Sequence, residues 1–69
     1  MKVKVINHVR EIRLELEWTQ EDLAKRAGVS RQSIISIEQG RYIPSLPLAL
    51  KFAKLFQRPT VDIFQLLED

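Results

Sequence analysis

The segment TQEDLAKRAGVSRQSIISIEQG constrains the fold of this chain more than any other part of the sequence. Thr19, followed three residues later by Asp22, forms a carboxylate version of the capping box that begins a helix. Gly28 ends that helix, because glycine takes the left-handed conformation of a helix terminus without steric cost. Ser30 is a favourable N-cap for a second helix, and Gly40 marks its end. These signals predict two short helices joined by a tight turn.

The second of these helices has an informative outward side. Ile34 and Ile37 mark its inner side, because apolar residues three apart share one face of a helix. The outward side therefore carries five candidate base-reading residues: Arg31, Gln32, Ser33, Ile35 and Ser36. Arginine can pair with guanine, glutamine with adenine, and an apolar group can cover a thymine methyl. Two helices with such a turn form a helix-turn-helix, here 19–40, whose second helix can enter the major groove of DNA. An ordinary surface helix with one exposed isoleucine is the alternative interpretation.

The charge is unevenly distributed along the chain, although the net charge of +2 is unremarkable. Between positions 24 and 58 there is a single acidic residue, Glu38, so this part has a formal charge of +6 and the two ends together −4. The basic residues of this part are Lys25, Arg26, Arg31, Arg41, Lys51, Lys54 and Arg58. A basic stripe beside a candidate reading helix indicates a partner that carries phosphates, whereas the alternative is a solvated surface.

Composition and motifs narrow the classes of function that fit. A chain of 69 residues allows a single domain, 1–69. It has no cysteine and one histidine, His8, which argues against a metal site, and we expect no cofactor. No Ser-His-Asp set, Gly-rich phosphate loop or paired-carboxylate cleft can be proposed, which argues against an enzyme. With neither a signal peptide nor an apolar run near the ~18 residues of a membrane span, we expect a cytoplasmic protein with no membrane partner.

Periodicity predicts an all-α fold of five helices, with one addition at the N-terminus. Met1–Ile6 alternates apolar and polar residues, which predicts a short β-strand or, alternatively, a frayed terminus. A lone strand is unstable, so it would pair either with the C-terminal segment of the same chain or with the same strand of a second subunit. The predicted helices cover about 8–16, 20–27, 31–39, 46–56 and 60–67.

The longer segment TQEDLAKRAGVSRQSIISIEQGRYIPSL resembles the helix-turn-helix of Cro/C1-type (XRE) regulators, which include phage repressors and small bacterial regulators. The matching residues are Thr19, Gln20, Leu23, Ala24, Gly28, Val29, Ser30, Arg31, Ile34, Ile37, Glu38, Gly40, Pro44 and Ser45. The similarity continues through Ala53 to Asp62, Ile63 and Phe64, and it spans about 9–64. The short cytolysin-repressor type, with a proline before Asp-Ile-Phe-Gln, is nearest in appearance. The resemblance implies a compact, five-helix, lambda-repressor-like DNA-binding domain.

The resemblance also implies which residues contact DNA. Gln20 would bind a phosphate through its side chain and the helix N-terminus at which it lies. The residues expected to contact phosphates of the opposite DNA strand are Arg41, Tyr42 and Ser45. Gln32 and Ser36 are the strongest candidates for base reading, whereas Arg31 could reach either guanine or phosphate.

An ion pair between Arg13 and Glu38 is a further implication of the resemblance, and it would join the first helix to the third. Such a half-buried pair contributes to specificity more reliably than to stability. The alternative is that both side chains point to solvent, where the pair would contribute little.

The C-terminal end is strongly apolar for its length, which indicates either a dimer interface or a small core that absorbs it all. The residues expected at the interface are Val61, Phe64, Leu66 and Leu67. The N-terminal strand is a further contributor.

A monomer of this size reads roughly 4–6 base pairs, too few for useful selectivity. We therefore expect a sequence-specific transcriptional regulator that acts as a repressor and binds a palindromic operator in double-stranded DNA as a homodimer. The alternatives are an antitoxin-type or phage-like autoregulator, or a helix-turn-helix module that binds protein and not DNA. Because no effector domain is predicted, a regulatory partner protein is one source of the inducing signal.

Overall fold

Five helices and a two-stranded antiparallel ribbon form the fold of the computed structural model, which describes residues 3–68. The elements are β1 (Val3–Asn7), α1 (Val9–Glu15), α2 (Gln20–Ala27), α3 (Arg31–Glu38), α4 (Leu46–Phe56), α5 (Thr60–Ile63) and β2 (Phe64–Glu68). The predicted five-helix fold with an N-terminal strand is confirmed, although the first two residues of that strand lie outside the described residues. No helix in the described range is both long and apolar enough to cross a membrane, and α4, the longest, has 11 residues.

Local capping interactions determine where α2 and α3 begin. Thr19 Oγ1 accepts a hydrogen bond from the backbone N–H of Asp22 at 3.0 Å. Asp22 Oδ2 accepts one from the backbone N–H of Thr19 at 2.9 Å, which closes the predicted capping box. Gly28 ends α2 in the left-handed region, with φ of 74°, and Ser30 Oγ caps α3 by accepting from the backbone N–H of Ser33. The two helices of the predicted motif therefore begin and end where local signals put them, within one residue.

A single apolar core supports all five helices of the described chain. Its buried members are Val9, Ile12, Leu23, Ala24, Ala27, Ile34, Ile37, Phe52, Phe56 and Ile63. Phe52 is fully buried, and its ring stacks on that of Phe56 with 5.8 Å between the ring centroids. Each helix contributes at least one side chain to this core, and the removal of that apolar surface from water stabilises the arrangement of the helices.

The C-terminal segment differs from the sequence prediction. α5 ends at Ile63, and Phe64 has extended backbone angles (φ −124°, ψ 129°), so the prediction of one helix over 60–67 is wrong. The segment after Ile63 instead forms β2, which pairs antiparallel with β1. The physical reason is that β1 needs a partner for its backbone hydrogen-bonding groups, and a continued helix would have left those groups unpaired. Of the two expected partners of β1, the C-terminal segment of the same chain is the one observed.

The register of the ribbon separates the side chains of β2 into two faces. Val5 lies opposite Leu66, and Lys4 lies opposite Leu67. Because successive residues of a strand point to opposite faces, Leu66 shares the face of Val5, whereas Leu67 shares the face of Lys4.

Asn7 connects the ribbon to the helix-turn-helix. It lies one residue before His8, the N-cap residue of α1. Its Oδ1 accepts a hydrogen bond from the backbone N–H of Val9 at 3.2 Å, and its Nδ2 donates to the carbonyl of Ile37 at 2.9 Å. The Asn7 side chain thus satisfies a free N–H at the start of α1 and links the start of α1 to the end of α3.

Candidate nucleic-acid interface

Two buried isoleucines determine which side of α3 faces outward. Ile34 and Ile37 have no solvent exposure, so the opposite side of the helix faces solvent. Two of the five predicted base-reading residues, Arg31 and Gln32, are exposed. The other three are partly exposed: Ser33, Ile35 and Ser36. Ile35 is thus less exposed than its helical position suggested.

The outward side of α3 borders an open groove of about 320 Å³, which we call the α3 groove. Its lining residues are Ser30, Gln32, Ser33, Ser36 and Tyr42. Three predicted base readers therefore lie together here, and they are joined by Tyr42, which was predicted to contact phosphate. The hydroxyl of Ser33 is already engaged, because its Oγ lies 3.0 Å from Ser30 Oγ. Arg31 is not among the residues that line this groove.

A second hollow of about 560 Å³, which we call the basic concavity, lies beside α1, α2 and the start of α3. Its lining residues are Arg10, Arg13, Thr19, Gln20, Glu21 and Arg31. The hollow brings Gln20, a predicted phosphate contact, together with Arg31, a predicted base reader. Arg10 was missed in the sequence analysis, although a signal existed: it precedes Arg13 by three residues in α1, a spacing that puts both on one side of a helix.

The ion pair between Arg13 and Glu38 that the resemblance implies is almost completely buried. Arg13 Nε donates to Glu38 Oε2 at 2.7 Å and Nη2 donates to Oε1 at 3.2 Å, while Nη1 donates to the carbonyl of Trp18 at 2.8 Å. The side chains of Arg13 and Glu38 are 8% and 4% exposed. These contacts join α1, the end of α3 and the loop before α2, and the paired charges offset the cost of taking each one out of water.

Glu38 also orients Gln20. The Nε2 atom of Gln20 donates to Glu38 Oε1 at 3.2 Å. An amide nitrogen has two N–H groups, so one remains for a ligand at the N-terminus of α2. A single carboxylate therefore holds both the guanidinium of Arg13 and the amide of Gln20 at the edge of the basic concavity.

The residues after α3 have different local roles. Arg41 is exposed, and its backbone N–H donates to the carbonyl of Ser36 at 2.9 Å, which ends the helix. Ser45 Oγ accepts a hydrogen bond from the backbone N–H of Leu48 at 3.4 Å as the N-cap of α4. The hydroxyl proton of Ser45 remains available to a phosphate, because a hydroxyl can accept and donate at once.

Asp22, the carboxylate of the α2 capping box, stays ionised to a lower pH than an ordinary aspartate because its pKa is lowered. The backbone N–H of Thr19 lowers the pKa of the Asp22 carboxyl, and the Thr19 side chain, then Arg26 and Lys25, act in the same direction. The ionised carboxylate lies in the first turn of α2, where a negative charge interacts favourably with the helix dipole. Asp22 therefore supports the helix whose N-terminus carries Gln20.

An apolar hollow of about 380 Å³ lies away from these polar residues, and we call it the apolar groove. Its lining residues are Val5, Ile43, Pro44, Leu46, Ala49, Thr60, Val61 and Phe64. Of the predicted interface residues, Val61 and Phe64 line the groove, and Leu66 lies on the same face of the ribbon as Val5. Phe64 is partly buried against Phe52, with 6.1 Å between the ring centroids. Leu67 is on the opposite face of the ribbon, because its cross-strand partner is Lys4.

Known proteins share both the sequence and the fold of this chain. A family model described as helix-turn-helix matches residues 9–63. An HTH-type transcriptional regulator of Methanothermobacter thermautotrophicus is 55% identical over 62 residues, which cover 88% of this chain and 90% of the relative. The HTH-type transcriptional regulator YgzD of Bacillus subtilis is 44% identical over 63 residues, which cover 91% and 96%. The crystal structure of the restriction-modification controller protein C.AhdI from Aeromonas hydrophila has a TM-score of 0.74 at 29% identity, over 80% of this chain and 83% of that chain. With α2 and α3 arranged as described, this chain belongs to the helix-turn-helix family of Cro/C1-type (XRE) transcriptional regulators, and it carries the DNA-binding domain of that family.

Proposed function

We propose that this regulator is a repressor that acts in the cytoplasm and binds an inverted-repeat operator in double-stranded DNA as a homodimer. The observation that carries the proposal is the α3 groove, where Gln32 and Ser36 are accessible on a helix held from behind by Ile34 and Ile37. A helix presented in this way, with polar side chains outward, suits the major groove. Bound at a promoter, the protein would block access of the polymerase.

Gln32 is the leading candidate for base reading, because its amide can donate to and accept from adenine at the same time. Ser36 follows one helical turn later on the same side, where it can reach a neighbouring base. We give Ser33 a supporting role, since its hydroxyl is shared with Ser30. Ile35 is partly exposed, and its side chain can cover a thymine methyl group.

Phosphate contacts on both sides of α3 would hold the helix in register. On one side, Glu38 orients the amide of Gln20 at the N-terminus of α2, a site that favours anions. On the other side, the residues that follow α3 would meet the opposite strand: Arg41, Tyr42 and Ser45. Such contacts position the protein without selecting the sequence.

The homodimer follows from the small number of base pairs that one reading helix can cover, roughly 4–6. The proposed contact is between the apolar grooves of two copies, because exposed apolar side chains surround that groove. Val61 is 68% exposed, Leu46 is 70% exposed and Leu66 is 60% exposed, and apolar surface left in water in this way is typical of a protein interaction site. Val61, Phe64 and Leu66 thus belong to the proposed interface, whereas Leu67 is left outside it. The two α3 helices would then enter half-sites about 34 Å apart, one turn of DNA.

The experiment that tests this function is selection from a random duplex pool at about 150 mM salt, where non-specific attraction to phosphate is weak. We expect wild-type protein to enrich an inverted repeat. Gln32→Ala should lose preference at one position of each half-site, at a cost of about 1–3 kcal/mol per contact. Gln65→Ala is the matched control, because Gln65 is an exposed glutamine in β2 outside the α3 groove. Binding that merely fades as salt rises, with no enriched sequence, would contradict sequence-specific recognition and would favour a protein-binding module.

A further inference from the structure

Three arginines, Arg10, Arg13 and Arg31, line the basic concavity in addition to Gln20. Arginines from two different helices meet there: Arg10 from α1 and Arg31 from the first position of α3. Among the lining residues Glu21 is the one acid. The hollow is therefore suited to an anion.

Arg13 is the buried member of this set. Its side chain is 8% exposed, and three of its N–H groups are used by Glu38 and the carbonyl of Trp18. A guanidinium has five N–H groups, so two remain. The charge of Arg13 is balanced by Glu38, so Arg10 and Arg31 outnumber Glu21, the one acid that lines the hollow.

Arg10 and Arg31 differ from Arg26 and Arg58, which have side-chain partners within the described residues. Arg41 forms no ion pair within the described residues either, but it does not line the basic concavity. Arg58 donates to Glu15 at 3.0 Å, and the guanidinium of Arg26 lies 4.2 Å from the centroid of the Trp18 ring. Within residues 3–68, neither Arg10 nor Arg31 forms an ion pair. Each is exposed and therefore free to bind a ligand.

We propose that Arg10 and Arg31 together bind one phosphodiester phosphate of the DNA backbone, with the amide of Gln20 as a third donor, and that Arg31 therefore reads no base. The planar guanidinium presents paired N–H groups that match the oxygens of a phosphate. The proposal rests on the DNA binding proposed above and resolves the open choice for Arg31 between guanine and phosphate.

The separation of the two hollows is the reason for choosing phosphate. Arg31 lines the basic concavity with Gln20, whereas Gln32 and Ser36 line the α3 groove. If the side chain of Arg31 turned into the α3 groove to read a base, it would leave the basic concavity, which Arg10 and Gln20 also line. With Arg10 engaged, the DNA-binding surface also extends beyond α2 and α3 to α1.

The first test measures binding of the full chain to a labelled random-sequence duplex at 50 mM salt. We expect Arg10→Ala and Arg31→Ala each to weaken binding about tenfold, the size of one charge-assisted hydrogen bond. The double variant should weaken binding by less than the product of the single effects, because both residues contact one phosphate. Lys4→Ala, which removes the same charge from an exposed residue of β1 that lies outside the basic stripe and lines neither hollow, should change affinity less than about twofold. Circular dichroism and thermal melting would verify that every variant is folded.

The second test repeats the duplex selection with the variants. Arg31→Ala is expected to recover the same inverted repeat as the wild type, with unchanged base preferences and weaker overall binding. A synthetic operator with one neutral methylphosphonate linkage, moved step by step along the backbone, should identify a linkage that weakens the wild type most, each single arginine variant less, and the double variant least.

Three results would overturn the proposal. Arg31→Ala could lose preference for one base pair while Arg10→Ala keeps it, which would make Arg31 a base reader. Arg10→Ala could behave like Lys4→Ala, or the two arginine effects could multiply without coupling, which would exclude a shared phosphate. Failure of the wild type to enrich any motif would defeat the proposed operator instead, since the random-duplex measurement reports on the phosphate independently of sequence.

Discussion

The α3 groove and the apolar groove differ in chemistry and in how the chain builds them. The α3 groove is polar, and its lining residues come from one continuous stretch, 30–42. The apolar groove is assembled from three stretches that are far apart in the sequence: β1, the loop before α4 with α4 itself, and α5 with β2. A surface made from one capped helix can be interpreted locally, whereas a surface made from three separate stretches of the sequence exists only after the chain has folded.

The two regions also depend on different interactions. The helix that carries the α3 groove is held at its end by Glu38, which pairs with Arg13 and also orients Gln20. The apolar region rests on aromatic packing, in which Phe52 contacts both Phe56 and Phe64. Charged substitutions should therefore have different consequences on the two sides, and the following predictions test that difference.

The largest expected effect concerns the polar side. Glu38→Ala should lower the free energy of unfolding by about 3–5 kcal/mol, because it leaves the charge of Arg13 buried without a partner. Urea denaturation measures this. Glu15→Ala is the matched control, since Glu15 pairs with Arg58 at the surface with 61% of its side chain exposed, and it should cost less than about 1 kcal/mol. Equal losses for the two variants would contradict the structural role of the buried pair.

The next effect concerns the apolar side and association of the chain. Val61→Glu should convert the proposed dimer to a monomer, because it puts a charge into the apolar groove. Affinity for an inverted-repeat duplex should then fall about 100-fold, as the second half-site no longer contributes. Leu67→Glu is the control on the opposite face of the ribbon and should remain dimeric. Light scattering that shows the same mass for both variants would contradict the proposed interface.

A smaller effect is expected from the cap of α2. Thr19→Ala should lower the free energy of unfolding by about 1 kcal/mol, because the N–H of Asp22 loses its acceptor. Thr60→Ala, at a threonine within α5 that provides no cap, should cost less. Thermal melting of the two variants distinguishes them, and a larger loss for Thr60→Ala would be evidence against the capping box as the origin of α2.

The smallest effect is a dependence on pH. Because the folded-state pKa of Asp22 is lowered from 3.8, its contribution to stability is complete above that value. The contribution is lost as the pH falls from about 3.8 through the lowered folded-state pKa. The difference in unfolding free energy between wild type and Asp22→Asn should therefore shrink only in this acidic window. A difference that stays constant to the lowest pH at which the chain folds would be inconsistent with this mechanism.

The helix-turn-helix was predictable from sequence because its signals act over a few residues. Thr19, Gly28 and Ser30 each determine a helix end through their own side chain or backbone freedom, and α2 has the predicted bounds. The outward position of Gln32 follows from the burial of Ile34 and from helical geometry alone. These inferences needed no knowledge of the rest of the fold.

The C-terminal tail was not predictable in the same way. The residues FQLLE are compatible with an apolar helix and with a strand, so periodicity could not choose between them. The choice depends on β1, whose Val5 pairs with Leu66 from the other end of the chain. The neighbourhood of Arg10 and Arg31 is likewise a property of packing, because it requires α1 to lie beside the start of α3.

The sequence by itself therefore determined the two capped helices, the outward residues of α3 and the family to which the chain belongs, because short-range hydrogen bonds and helical periodicity encode them. Only the tertiary structure decided that the tail is a strand, that Leu66 and Leu67 face opposite ways, and that Arg31 shares a hollow with Arg10 and Gln20. Those features arise from contacts between segments distant in sequence, where the pairing of backbone groups and the packing of the core outweigh local preference.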